Sequence, residues 1–342
     1  MATKVRLAFA LLGIGLILYM APSLPTFYYV VQLPLVWKPL AAEALISAEH
    51  DNFDVTFAKF TSNYTLADSG VSSLIPTKLH HIHLGPRPPA PEWIAARAEC
   101  LRYHDSWETF LWDDTNATQF VREFYPHLYE MWMSYSYVVQ RVDALRYMIL
   151  ATHGGAILDY DLACKHSLDP LRQFEFIAPV AHPTGFSVGM MLASPNSSLV
   201  HSLVQSLPRF DRRWLLLPYA TVMFSTGCHY ASTIYTMQHN RTGVRFLSGT
   251  PEFPKLHMLN GHVDTPLFRH LGSSSWHNRD AHLISFLKRA DSRLLLLLPV
   301  FVIMASFALT LIACLRRYRG SARGDVESST AWLSLPSWKK YA

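Results

Sequence analysis

Residues 137–161 leave the chain the least freedom. From Tyr137 to His153, the apolar residues Val138, Val139, Val142, Leu145, Ile149 and Leu150 recur at helical spacing. Gly154-Gly155 follow, as expected just past a helix end. Ala156-Ile157-Leu158 reads as a short buried strand that runs directly into Asp159-Tyr160-Asp161. A helix passed by two glycines to a buried strand is a unit of an α/β sheet, and such sheets bind ligands at the carboxyl ends of their strands. Asp159 and Asp161 stand at such an end. The same helix carries Arg141, Asp143 and Arg146, and the last two lie three apart on one face.

The chain before this unit has the same alternating character. Thr77 to Leu84 alternates between Pro76 and Gly85-Pro86 and reads as a strand. Glu92 to His104 reads as a helix with Pro91 at its start. Trp107 to Trp112 reads as a second strand, and Asp113-Asp114 suits the cap of a following helix. The expected class is α/β with a sheet of parallel character. Two hard carboxylates suit Mg²⁺ or Mn²⁺ better than zinc, with the remaining ligands drawn from a substrate diphosphate. A metal together with a diphosphate points to a nucleotide-activated donor. No Walker-A loop and no GxGxxG occurs, which disfavours P-loop NTPases and dinucleotide oxidoreductases.

Only 16% of the residues are charged, and mean hydropathy is +0.11, which points to membrane segments. Leu294 to Leu315 is a run of 22 residues without a charge, bordered by Arg293 and by Arg316, Arg317 and Arg319. It is long enough to cross a hydrocarbon core about 30 Å thick. At the other end, Lys4 and Arg6 precede an apolar stretch from Leu7 to Met20, followed by Pro22 and Pro25. No small-x-small cleavage site follows it, so a signal anchor continued by the apolar residues around Phe27 to Trp37 is expected rather than a cleaved signal peptide. The basic flanks place both termini in the cytosol and residues from about 40 to 290 in the lumen.

Four triplets fit N-x-Ser/Thr, at Asn63, Asn116, Asn196 and Asn240. With seven asparagines in the chain, chance gives about one such triplet. All four fall between the two apolar segments, as in a lumenal glycoprotein. The net charge of +5 is concentrated in residues 316–342, where six basic residues face two acidic ones. The basic balance is therefore a property of the tail and does not indicate nucleic-acid binding. Cys100, Cys164, Cys228 and Cys314 have no CxxC spacing, which excludes a zinc motif and a dense disulfide framework. One bridge among the first three stays open, without a choice of pair. The final residues, Lys339-Lys340-Tyr341-Ala342, resemble a C-terminal dilysine signal that returns membrane proteins to the early secretory pathway.

The combined pattern Tyr137-x3-Arg141-x-Asp143-x2-Arg146-Tyr147, then His153-Gly154-Gly155-x3-Asp159-x-Asp161, resembles the signature of glycosyltransferase family 32. The likeness is greatest to the fungal inositol phosphoceramide mannosyltransferases. Ile75-Pro76-x-Lys78-x2-His81 resembles the family's opening strand, and Leu168-Asp169-Pro170-Leu171 follows the carboxylates as in the family. Leu217-Pro218-Tyr219-x2-Val222-Met223-x-Ser225-Thr226-Gly227 and Gly272-Ser273-Ser274-Ser275-Trp276-His277-x2-Asp280-Ala281 are similar to later family blocks. The resemblance spans about residues 74 to 290. One departure stands out. Many relatives have Ser-Asn-Asp near Gly185-Phe186-Ser187, where this chain continues Ser187-Val188-Gly189 and lacks that polar pair.

The resemblance implies a GT-A-like, Rossmann-type nucleotide-sugar transferase domain, with GDP-mannose as donor, Mn²⁺ (or Mg²⁺), retention at the anomeric carbon and a lipid acceptor, inositol phosphoceramide. It implies that Asp159 and Asp161 face metal and nucleotide, with His277 as a further metal ligand or diphosphate contact. It assigns Asp143, Arg146, Arg141 and Trp276 to the donor. The expected organisation is an anchor over residues 1–36, a lumenal stem over 37–73, the transferase domain over 74–290, a transmembrane helix over 294–315 and a basic cytosolic tail over 316–342. The expected setting is a Golgi or early secretory membrane, with a possible regulatory membrane subunit and no nucleic acid. Two alternatives remain: an α-1,6-mannosyltransferase of N-glycan outer chains, and a lapsed enzyme serving as a membrane scaffold or regulatory subunit.

Overall fold

The computed structural model of the chain describes residues 24–60, 64–66, 70–214 and 217–272. The expected segments 1–20 and 294–315, the tail, Trp276 and His277 lie outside the described residues. No helix among the described residues is long and apolar enough to cross a membrane.

A six-stranded sheet forms the framework, in the order β2-β1-β3-β6-β5-β7. Its strands are β1 (Lys78–Ile82), β2 (Glu108–Trp112), β3 (Gly155–Leu158), β5 (Phe176–Pro179), β6 (Met190–Ala193) and β7 (Val244–Leu247). β1 pairs in parallel with both β2 and β3, and β5 pairs in parallel with β7. β6 alone is reversed, antiparallel to β3 and to β5. The parallel character expected from the alternating elements is therefore present, interrupted by one strand that local pattern did not distinguish. A second, antiparallel sheet has the order β4-β9-β8 and comprises β4 (Leu162–Cys164), β8 (His262–Asp264) and β9 (Phe268–Leu271).

The helices that matter for the site are α1 (Leu24–Ala42), α2 (Pro91–Tyr103), α3 (Asp114–Phe124), α4 (Val138–His153), α5 (Ser198–Phe210), α6 (Pro218–Ser225) and α7 (Cys228–Met237). α2 connects β1 to β2 as a crossover and starts with Pro91 at a position where a missing N–H is harmless. Asp113 caps α3 and Asn116 completes the capping box, with Oδ1 of Asn116 accepting from the Asp113 N–H at 2.8 Å. α4 ends at Gly154, and both Gly154 and Gly155 have positive φ (62° and 100°). A Cβ on Gly155 would lie 2.5 Å from the Lys78 carbonyl oxygen, so only glycine lets β3 close on β1. β3 is buried at all four positions, as a central strand covered on both faces must be.

Residues expected to form a stem are built into the domain. α1 runs without interruption across residues 36 and 37, and it buries Thr26, Val30, Leu33, Trp37 and Ala41. Trp37 meets Tyr235 of α7 and Phe246 of β7 at ring-centroid distances of 5.6 and 5.2 Å. Further on, Phe53 and Phe57 are fully buried, and His257 Nε2 lies 2.6 Å from the Val55 carbonyl.

The open question of the cysteines resolves to a Cys100–Cys164 bridge, joining α2 to β4 across 64 residues of sequence. Closing a loop of that length stabilises the folded state by about 4 kcal/mol through the entropy removed from the unfolded chain. Cys100→Ser should lower the unfolding free energy by about that amount. Denaturant unfolding of wild type and variant checks this, and reductant should reproduce the loss in the wild type alone.

Candidate active site

The site is assembled where the two sheets meet. Asp159 follows β3 of the large sheet, and its N–H donates to the Gly189 carbonyl just before β6 at 2.8 Å. Asp161 precedes β4 of the small sheet, and its carbonyl accepts from Leu271 N–H of β9 at 2.8 Å. Two carboxylates one residue apart are thus anchored to different sheets. Asp159 leaves 39% of its side chain accessible, whereas Asp161 leaves 7%.

Arg146 projects from the middle of α4 beneath this turn. Its Nη2 lies 2.6 Å from Asp159 Oδ1, its Nε lies 3.6 Å from Asp143 Oδ1, and its Nη1 donates to the Val188 carbonyl at 2.7 Å. The guanidinium is therefore used on the protein itself and orients Asp159. Asp143 Oδ2 accepts from the Thr226 hydroxyl at 3.2 Å. Burial pushes the Asp143 carboxyl up to about 7, against the pull of Arg146 and with added repulsion from Asp159. Arg141 sits elsewhere on α4. It pairs with Asp114 at 3.2 Å and covers the Trp132 ring at 4.3 Å, while Asp114 Oδ2 accepts from Gly85 N–H after β1 at 2.7 Å. Arg141 thus ties α3 and α4 to the carboxyl end of β1, apart from the Arg146 contacts.

His270 of β9 is a member of the site that sequence reasoning missed. Its Nε2 lies 3.1 Å from Asp161 Oδ2, and its Nδ1 lies 2.6 Å from the Gly261 carbonyl. Burial works against its charge, but the Asp161 carboxylate and the Gly261 carbonyl outweigh burial, and its pKa is raised. The pairing Leu162↔His270 brings it there, and no local pattern distinguishes it among 17 histidines.

The segment that departs from the Ser-Asn-Asp pattern runs beside Asp159. A Cβ on Gly189 would lie 2.7 Å from Asp159 Oδ2, so glycine leaves the space beside that oxygen open. The carboxylate pair and this open flank fit a hard divalent ion. Among the described residues no group of three His, Cys, Asp or Glu is placed to cage a metal. Gly189→Ala should leave the fold intact but push Asp159 out of place, with activity falling about 10²-fold. Thermal unfolding together with initial rates checks both halves of that expectation.

A strand-end carboxylate pair on a mixed α/β sheet suits a transferase that uses a nucleotide-activated donor. The family profile described as "Glycosyltransferase sugar-binding region containing DXD motif" matches residues 90–177, which include Asp159 and Asp161. The chain is 30% identical over 274 residues to inositol phosphoceramide mannosyltransferase 1 of Schizosaccharomyces pombe, covering 75% of this chain and 81% of that protein. It is 33% identical over 221 residues to mannosyl phosphorylinositol ceramide synthase SUR1 of Saccharomyces cerevisiae, covering 63% of this chain and 55% of that protein. The match thus spans little more than half the length of the budding-yeast relative. The solved PaToxG glycosyltransferase superposes with a TM-score of 0.38 at 13% identity, over 48% of this chain and 69% of its own. The chain belongs to the DXD-containing glycosyltransferase family that includes the inositol phosphoceramide mannosyltransferases.

Proposed function

We propose that the chain is a membrane-bound retaining mannosyltransferase with a GT-A-like domain. It moves mannose from GDP-mannose to inositol phosphoceramide and forms mannosylinositol phosphoceramide. The carrying observation is the Asp159/Asp161 pair at the end of β3, oriented by Arg146 and flanked by Gly189, in a chain related to enzymes of that name. Asp159 and Asp161 would hold Mn²⁺ or Mg²⁺. When bound, the ion supplies charge stabilisation to the departing diphosphate. Arg146 keeps Asp159 turned outward, and His270 holds Asp161. The buried α4 gives Asp159 a firm support through Arg146, which keeps that carboxylate positioned. The acceptor hydroxyl attacks from the face that the diphosphate leaves, and the diphosphate takes its proton, so the chemistry requires no protein base.

A lumenal placement in the Golgi or early secretory pathway belongs to the same reading. A buried disulfide suits an oxidising compartment. Asn116, Asn196 and Asn240 are all exposed, and Asn240 forms a turn in which Oδ1 accepts from the Thr242 N–H and hydroxyl. Asn63 lies outside the described residues.

The test uses purified chain in detergent with GDP-mannose, inositol phosphoceramide and Mn²⁺. Product should form, should be lost with excess EDTA and should return with Mn²⁺. Full activity in EDTA, or no transfer to this lipid while an N-glycan acceptor is mannosylated, would overturn the reading.

A further inference from the structure

α1 presents two different faces. Its buried stripe packs on α7, where His229 Nε2 lies 2.7 Å from the Val30 carbonyl. Its outer face carries Leu24, Phe27, Tyr28 and Leu35, with Tyr28 62% and Leu35 59% exposed. The exposed Lys38 is the one charge within the helix. Beside it, Phe27 stacks on Trp214 at 6.5 Å and Arg209 covers the Tyr29 ring at 5.5 Å. Past α5, Arg213 is exposed next to the buried Trp214.

We infer that this face of α1, together with Lys38, Arg209 and Arg213, is a docking surface for an anionic lipid bilayer. Three features select a lipid surface as its occupant. Aromatic residues amid aliphatic ones suit the headgroup boundary, where one end of the ring is dry and the other wet. Lys38, Arg209 and Arg213 are exposed at the patch and outnumber the exposed Asp211 between the two arginines, a balance complementary to anionic headgroups. In sequence the apolar run Leu7 to Met20 precedes α1, so the patch lies near a stretch of the chain whose composition suits lipid.

The surface also has a position that matters. Thr226, whose hydroxyl donates to Asp143, and His229, which contacts α1, are separated only by Gly227 and Cys228. A bilayer against α1 would therefore lie on the side of the domain where α6 turns into α7 next to the carboxylate cluster. The inference deepens the membrane-bound reading above and rests on it for its purpose, since an enzyme with a lipid acceptor gains from meeting the bilayer beside its site.

The test places the photoreactive residue benzoylphenylalanine at position 28, 35 or 111 of the full chain, reconstituted in phosphatidylcholine nanodiscs with and without phosphatidylserine. Position 111 is the control. Leu111 is 45% exposed on β2, at the sheet edge opposite β7, where α1 packs. Irradiation should give phospholipid adducts at 28 and 35 and none at 111, read by mass spectrometry. With phosphatidylserine present, Lys38→Glu with Arg213→Glu should lower the adduct yield about fivefold or more. Adducts to a second copy or to another segment of the same chain, or equal lipid yields at all three positions, would overturn the surface. No donor or acceptor is used, so failure here leaves the transferase reading standing, and failure of transfer leaves the surface standing.

Discussion

Asp161→Asn should abolish measurable transfer while the protein stays folded. The substitution keeps the size and one oxygen of a side chain that is 7% exposed, and it removes only the charge. Loss of one preorganised charge contact in a transition state costs about 10²–10³ in rate, and a site with two carboxylates has no spare. Folding should survive because His270, the partner at 3.1 Å, is able to shed its proton when the carboxylate is gone. No full charge is then left buried and unpaired. Initial rates with GDP-mannose, together with thermal unfolding at pH 8, separate the two effects. Turnover at the wild-type rate would refute the assignment of this carboxylate, and a collapse of the melting transition would reduce Asp161 to a structural role.

Acid should unfold this domain well above the usual carboxylate range. His80 and His81 of β1 are fully buried, and burial depresses each to about 3. His257 falls to about 4 for the same reason. His80 is held as one neutral tautomer: Nε2 donates to the Gly154 carbonyl at 3.0 Å, and Nδ1 accepts from Trp112 Nε1–H at 3.3 Å. The unfolded chain takes up protons near the ordinary histidine value of 6.5, whereas the folded chain does not until about 3 to 4. For these three histidines the unfolded state therefore binds more protons throughout that window, and stability falls as pH drops below 6.5; Asp143, raised to about 7 in the fold, works the other way and offsets about one histidine's share. At pH 5 each of the three histidines costs about 2 kcal/mol, against a total stability of roughly 5–15 kcal/mol. Urea midpoints measured from pH 7.5 to 5 should drop steeply. His81→Gln should flatten the slope, because it removes one titrating group whose ring nitrogens have no hydrogen-bond partner. A flat profile across that range would refute the account.

Elements set by near neighbours in sequence were legible. The helix expected over Tyr137 to His153 is α4 at Val138–His153, and the strand expected at 156–158 is β3 at Gly155–Leu158. The strands expected at 77–84 and 107–112 are β1 and β2, shortened at their ends. Asp159 and Asp161 stood out because a buried strand and a glycine pair frame them. What stayed hidden depends on pairings across long stretches of chain. The reversed β6 has the same fully buried pattern as β3 and β5, which run the other way on either side of it. His270 acquires its place only through β4–β9 pairing, and Cys100 finds Cys164 only once α2 lies on β4. α1 looked like membrane anchor by composition, yet its stripe of Thr26, Val30, Leu33, Trp37 and Ala41 is buried on the domain. Arg146 was legible as a charged residue near the site, but its use on Asp159, Asp143 and the Val188 carbonyl required the geometry of the turn.

The spacing of the two carboxylates is set at the seam between the sheets. Asp159 is tied to the large sheet through Gly189, and Asp161 to the small sheet through Leu271 and His270. The Leu162 N–H of β4 also donates to the Asp159 carbonyl at 3.2 Å, so the start of the small sheet is fastened to the end of β3. Tyr160, the single residue between them, turns its ring toward β1, 5.6 Å from the rings of both His81 and His83. The two carboxylates are thus the tips of a calliper with one leg in each sheet, and the β4–β9 register, through His270 and Leu271, fixes where the second tip stands.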